Sequence, residues 1–219
     1  MTSGQRRALA EYWPRYGLEF TPEVLDLDRV FGRTAIRVLD IGAGMGETTL
    51  ALANTREEAD FLAVDVHLPG IGSLLRGAAD SGLRNIRVIR HDIVEVVRFQ
   101  LPVASMDEIY LFFPDPWHKK RHHKRRLLNH AFAGELASRL KRNGRLFIAT
   151  DWRELAISML EVCDTEPTLE NLAGRGNFSP RPMWRPLTRF ERRGQRLAHG
   201  TWDLIYAPVP STTRSLRKD

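Results

Sequence analysis
The chain has 219 residues, 42% hydrophobic, 27% charged and 9% aromatic, with a formal charge of +6 and a pI near 9.9. That length suits one domain with a buried core, and that composition excludes collagen-like, disordered and coiled-coil chains. No stretch approaches the ~20 apolar residues of a membrane span, no apolar run follows the basic N-terminus as a secretory signal requires, and one cysteine, Cys163, excludes an internal disulfide and a cysteine-based zinc cage. A reducing, cytoplasmic setting is expected.

In chain order, residues 5–16 read as a short helix broken near Pro14. Residues 36–41 (IRVLDI) read as a buried strand, 42–46 (GAGMG) as a tight turn, and 47–54 as a helix with an apolar face. A second strand spans 61–66. A second helix spans 69–81, with Pro69 at its start and Gly82 as its stop. A third strand, 86–89, leads to His91-Asp92. A fourth, 106–112, runs into Phe113-Pro114-Asp115-Pro116-Trp117. Residues 124–141 read as helix, 145–149 as a fifth strand ending at Thr150-Asp151, and 152–163 as helix. Residues 164–186 are rich in Pro and Gly and read as loop; two last strands fall near 187–191 and 201–206. Strands alternating with helices predict an α/β architecture: a doubly wound, mostly parallel seven-stranded sheet with one antiparallel C-terminal strand. Residues 1–30 read as a helical segment packing on a single domain of residues 31–207, and 208–219 as a frayed tail.

The charge is concentrated. Residues 117–126 (WHKKRHHKRR) carry +6 and residues 181–196 (RPMWRPLTRFERRGQR) carry +5, which leaves −5 on the rest of the chain. Focused positive charge attracts polyanions. A lone basic run suits a solvated face, but two runs that also carry Trp and His or Pro favour nucleic acid. Neither has the helical apolar stripe of a membrane anchor.

In doubly wound sheets, ligands bind beyond the carboxyl ends of the strands. Asp40, Asp65, Asp92, Asp115 and Asp151 all fall at or just past such ends. Each alone also suits a helix cap or turn; five together suggest a site. The turn Asp40-Ile41-Gly42-Ala43-Gly44-Met45-Gly46 lets backbone approach a ligand. It departs from the dinucleotide fingerprint, because the third glycine falls early, at Gly46, and Glu47 takes its place. The acid at Asp40 suits the cationic sulfonium and amino group of S-adenosylmethionine better than a pyrophosphate. Asp65 is placed to accept from ribose hydroxyls and Asp92 to read adenine. Pro114 and Pro116 hold Asp115, and Trp117 offers a flat surface to a base. His118, His122 and His123 lack the cysteine or acid partners of a metal site, so no metal is expected.

The segments VLDIGAGMGETTLALA, AVDVHLPGIG, HDIVEV, LFFPDPWHKKRHHKRR, FIATDW and TRFERRGQRLAHGTWDL resemble the bacterial tRNA (guanine-N7-)-methyltransferase family over roughly residues 3–206. The resemblance implies a Rossmann-like class I S-adenosylmethionine-dependent methyltransferase. Its target is N7 of the variable-loop guanine of tRNA (position 46 of the tRNA). It implies that Asp40, Asp65, Asp92 and Asp115 contact the methyl donor beside Gly42 and Gly44, and that Asp115 is catalytic. Lys119, Asp151, Thr188, Arg189, Phe190 and Glu191 match substrate-binding positions. Asp stands at 40 and 65 where relatives often have Glu. Relatives also usually carry a basic N-terminal arm ahead of the segment that here begins at Met1.

Guanine's N1–H and N2–H donors match a carboxylate, for which Asp115, Asp151 and Glu191 are the candidates. The cations Lys119, Lys120, Arg121, Lys124, Arg125 and Arg126 suit phosphates, with Arg185, Arg189, Arg192, Arg193 and Arg196 as an opposing wall. The alternatives are a nucleic-acid methyltransferase acting on an exocyclic amine, whose (D/N)-P-P-(Y/F/W) turn Pro114-Asp115-Pro116-Trp117 loosely resembles, and an RNA-binding protein on the same fold.

Overall fold
In the computed structural model, described for residues 1–187, 191 and 200–209, helices flank both faces of an eight-stranded sheet. The elements are α1 (Ser3–Tyr16), β1 (Gly17–Leu18), α2 (Leu27–Phe31), β2 (Ile36–Ile41), α3 (Glu47–Thr55), β3 (Ala59–Val64), α4 (Leu68–Asp80), β4 (Ile86–Ile89), α5 (Ile93–Glu95), β5 (Met106–Phe112), α6 (His130–Arg139), β6 (Leu140–Thr150), α7 (Arg153–Asp164), β7 (Leu169–Asn171) and β8 (Trp202–Pro208). The strand order is β1-β4-β3-β2-β5-β6-β8-β7. Every pair from β1 to β6 is parallel, and β8 runs antiparallel to both β6 and β7. No described helix is long and apolar enough to cross a membrane.

Side chains alternate across the sheet, as the pleat requires. Leu39, Ile41, Leu62, Val64, Ile109, Leu111, Leu146 and Ile148 share one core with α6 and α7. Val38, Phe61, Ala63, Val88 and Tyr110 face the other core, with α3 and α4. α1 lies on α4. Gln5 Nε2 donates to Ser73 Oγ at 3.1 Å, and Tyr16 donates to the Leu83 carbonyl at 2.9 Å. A Cβ at Gly72 would stand 2.7 Å from the Gln5 carbonyl oxygen, so the two backbones nearly touch.

The structure corrects several sequence expectations. The sheet has eight strands because the two-residue β1 adds to β4 at one edge. β7 lies in the segment read as loop, and Leu187 is not in a strand; residues 188–190 of the expected strand lie outside the described residues. The helix expected over 124–141 is shorter. A 3₁₀ turn covers Lys120–Arg125, and α6 starts only after Asn129, whose side chain accepts from the Phe132 N–H at 3.1 Å. Pro14 does not end α1, because the helix closes two residues later, before a full turn of hydrogen bonds is lost. The expected tail 208–219 lies beyond the described residues from 210 onward.

A buried ion cluster anchors the amino end of β2 to β3. Asp60 accepts from Arg33 Nη2 at 2.7 Å and also pairs with the buried Arg37, which reaches Asp28 at 2.6 Å. Asp60 is 1% exposed. Removing one member of such a pair strands a charge in the interior. Asp60→Ala is therefore expected to cost about 3–5 kcal/mol in urea unfolding at pH 7.

Candidate functional site
Strand order reverses direction at β2, which has β3 on one side and β5 on the other. This switch point is where doubly wound sheets bind ligands. β4, β3, β2, β5 and β6 are mutually parallel neighbours, so their carboxyl ends share one edge. Along it, in spatial order, stand Asp92, Asp65, Asp40, Asp115 and Asp151. At ~4.8 Å per strand the row spans about 19 Å, the scale of a nucleoside cofactor beside a base.

Asp40 points toward α3 and is 3% exposed. Its carboxylate accepts from the Thr49 hydroxyl. Burial pushes its pKa up to about 6, against the Thr49 hydrogen bond, which lowers it; the nearby Asp65 charge adds to the rise. The turn that follows has three left-handed glycines, Gly42 (φ 71°), Gly44 (φ 56°) and Gly46 (φ 81°). A Cβ on Gly42 would meet nothing within 4 Å, whereas one on Gly70, at the start of α4, would stand 2.2 Å from the Gly44 carbonyl oxygen. The turn is thus braced from behind and open in front, as a cradle for a ligand requires.

Asp65 does part of the bracing. One oxygen accepts from the Gly44 N–H and the other from the His67 N–H, both at 2.7 Å. A carboxylate has about four lone-pair positions, so two remain for a ligand. Asp92 is exposed and caps α5, accepting from the Val94 N–H at 2.8 Å. Beside it, His91 stacks on Phe20 with centroids 3.7 Å apart. Acids around an open glycine turn suit a ligand with cationic groups and hydroxyls.

After β5 the chain makes the Phe113–Trp117 turn. Phe113 (φ 53°) and Trp117 (φ 48°) both adopt left-handed backbone, which costs on the order of 1–3 kcal/mol each. Two such residues bracketing Pro114-Asp115-Pro116 mark a turn whose shape is enforced by its surroundings. The Phe113 N–H donates to the Ala149 carbonyl at 2.7 Å, tying the turn to β6. Asp115, Pro116, Trp117, His118, Lys119 and His122 line a cavity of about 380 Å³. Arg125 lies 5.1 Å over the Trp117 ring, and His118 meets Trp152 edge-on at 4.2 Å. Neither Asp115, which is exposed, nor Asp151, which is half-buried, makes a side-chain hydrogen bond to a described residue.

Lys119, Lys120, Arg121, Lys124 and Arg125 are exposed along the 3₁₀ run. Two cations expected to face phosphate are turned inward instead. Arg126 binds the Pro116 carbonyl and Glu154, each at 3.3 Å, and so fastens the run to α7. Arg185 is fully buried between Glu191 and Asp203. Glu191 is 1% exposed, with its carboxylate on Arg185 and Arg181. Thr188, Arg189, Phe190, Arg192, Arg193 and Arg196 lie outside the described residues. Sequence reading missed Asp203. Its signal was an acid between Trp202 and Leu204 in an otherwise apolar strand.

An open, mostly parallel sheet with an acidic rim around a glycine turn defines a Rossmann-like methyltransferase. A family profile described as "Putative methyltransferase" matches residues 34–204. The fold is similar to the aminoglycoside resistance methyltransferase NpmB1 (TM-score 0.56, 17% identity, 85% of this chain and 95% of that one). It is also similar to a putative methyltransferase from Streptococcus mutans in complex with SAH (TM-score 0.51, 11% identity, 80% and 90%).

The chain is 52% identical to the tRNA (guanine-N(7)-)-methyltransferase of Edwardsiella ictaluri, over 95% of this chain and 88% of that protein. Identity to that of Burkholderia cenocepacia is also 52%, over 94% and 80%. The chain belongs to the tRNA (guanine-N(7)-)-methyltransferase family.

The raised pKa of Asp40 makes a signed prediction. The fold favours the protonated acid, so stability declines as pH rises from the ordinary carboxylate value, ~4, through about 6. Asp40→Asn removes that cost. In thermal unfolding it should gain on the wild type between pH 5 and pH 8, by an amount on the order of 1 kcal/mol.

Proposed function
We propose that this protein transfers a methyl group from S-adenosylmethionine to N7 of the variable-loop guanine (position 46) of tRNA. The observation that carries the reading is the juxtaposition of two turns on adjacent strands. The glycine turn follows β2, and the braced Asp115 turn, continuous with an exposed cationic run, follows β5. In this reading residues 31–207 are the catalytic domain, residues 1–30 are a helical segment on it, and the setting is the cytoplasm.

When bound, S-adenosylmethionine supplies an electrophilic methyl carbon on a cationic sulfur. Gly42, Gly44 and the acids Asp40, Asp65, Asp92 and Asp115 would hold it. The open space at Gly42 and the free lone pairs of Asp65 fit a nucleoside with hydroxyls and positive charge. The in-plane lone pair of guanine N7 is the nucleophile, and no proton must leave before attack. The protein's task is orientation and exclusion of water, which supply about 7–11 kcal/mol in well-oriented reactions.

Asp115 is the residue assigned to the reacting centre, where a carboxylate stabilises the cationic product. Asp115 or Asp151 accepts from guanine N1–H and N2–H, which adenine does not offer as a pair. Lys119 and the neighbouring exposed cations bind phosphate, which positions RNA without reading bases. Thr188, Arg189, Phe190 and Glu191 complete the substrate side. Glu191 acts from behind, through its pairing with Arg185.

The test is methyl transfer to unmodified tRNA, with mass spectrometry of the product nucleosides. The expected product is 7-methylguanosine, lost when the variable-loop guanine is replaced. A methyl group on an exocyclic amine overturns the assignment in favour of that related class, and donor binding without turnover favours an RNA-binding role. Asp115→Ala should lower the rate about 100-fold or more, since a small misplacement alone costs that much. With five exposed cations on phosphate, raising salt fourfold should weaken tRNA binding roughly 100-fold or more.

A further inference from the structure
Four charged groups meet in the interior beside the Asp115 turn. Arg185 Nη1 and Nη2 donate to the two Glu191 oxygens, each at 2.8 Å. Arg185 Nε and Nη2 donate to the two Asp203 oxygens, at 2.9 and 3.2 Å. Arg181 Nε donates to Glu191 at 3.2 Å, and its Nη2 to the Arg185 carbonyl. The Arg185 side chain is 0% exposed. Its guanidinium lies 5.6 Å from the ring centroids of both Phe112 and Phe113.

Stability alone does not explain this cluster. Well-packed apolar side chains replace buried ion networks at little cost. What the network adds is direction. Arg185 covers Phe113, the Phe113 N–H donates to the Ala149 carbonyl, Ala149 pairs in register with Asp203, and Asp203 holds Arg185. The contacts close a ring around the first residue of the turn. On its other side the same guanidinium holds Glu191, the next residue after the Thr188–Phe190 stretch.

We infer that Arg185 is a positioning residue for methyl transfer, a buried fork that fixes the Phe113–Trp117 turn relative to Glu191. The inference rests on the reading above for the identity of the reaction. Arg185 acts through its neighbours and touches neither base nor donor. The planar fork is essential, because one side chain must offer two donors to each of two carboxylates; an ammonium presents its donors from a single point.

The test uses the full chain with Arg185→Lys, which keeps the charge and loses the fork, and Asp203→Asn, which weakens one arm. Three quantities are measured: the single-turnover rate of 7-methylguanosine formation, S-adenosylmethionine affinity by calorimetry, and amide hydrogen exchange. The rate should fall about 10- to 100-fold, and donor affinity should fall several-fold less than the rate, because only Asp115 of the residues assigned to the donor lies in this turn, while Gly42, Asp65 and Asp92 lie on other strands. Exchange should accelerate about 10-fold or more across residues 112–117 and stay unchanged across 41–46.

A folded Arg185→Lys enzyme with the wild-type rate overturns the inference. So does an equal loss of donor affinity with exchange accelerated throughout the sheet, which marks a merely structural role. If Arg185→Lys does not fold, Asp203→Asn decides by the same criteria. If the wild type itself forms no 7-methylguanosine, the proposed reaction fails; the exchange measurement still decides the positioning, and unchanged protection at 112–117 overturns it.

Discussion
Six strands of this sheet, β1 to β6, run the same way because a crossover returns the chain to the same edge. That shared direction is the constraint on which the site depends. It delivers five separate loops to one edge at the spacing of the hydrogen-bond ladder, with no long-range contact needed to gather them. The loops then differ by their chemistry alone: a glycine turn after β2, acids after β3 and β4, a braced turn and cationic run after β5, and the half-buried carboxylate of Asp151 after β6. An antiparallel sheet of the same composition would divide these groups between opposite edges.

The chain places its unfavourable local choices at this edge and offsets them nearby. Asp40 is a carboxylate kept from water, and one hydroxyl eases its burial. Phe113 and Trp117 hold backbone conformations that side chains resist. Around them stand the compensations: the Phe113–Ala149 hydrogen bond, the aromatic stack of Tyr110 on Phe112 at 5.1 Å, and the Arg185 fork. Burial raises the pKa of Asp203, while Arg185 draws it back toward the ionised form. Strain in a turn and charge in a core are costly apart; here each is held in place by the other.

The parallel core was legible in the sequence. IRVLDI, FLAVDV and MDEIYLF are short, largely apolar runs that end at turn residues, so their strand character follows from length and punctuation, although the second strand starts and ends two residues earlier than read, at Ala59–Val64. The acids at strand ends were legible for the same reason. The last third was not. β7 is three residues in a Pro- and Gly-rich segment, too short to show a period, and it exists because β8 offers it an edge. A 3₁₀ turn at Lys120–Arg125 stands at the expected start of α6, and the residue that closes it, Arg126, reaches sideways to Glu154 rather than along a helix. Arg185 is the plainest case. A basic run read as a solvated, phosphate-facing surface sends one arginine into the core, where it pairs with the run's own acid, Glu191, and with Asp203, which lies 18 residues away on β8 and brings no local signal.

The contact between Gly70 and the Gly44 carbonyl is made of backbone on both sides. No side chain stands between Gly70 and the Gly44 carbonyl, so no side chain at that contact records its fit. Between the glycines of the turn, Ala43 packs on the α3–α4 core and Met45 is 42% exposed. A change at Gly70 or Gly44 is felt there directly, as is one at Asp65, which accepts from the Gly44 N–H. The closest approach at this corner is therefore set by residues that have almost no chemistry of their own: what they supply is room.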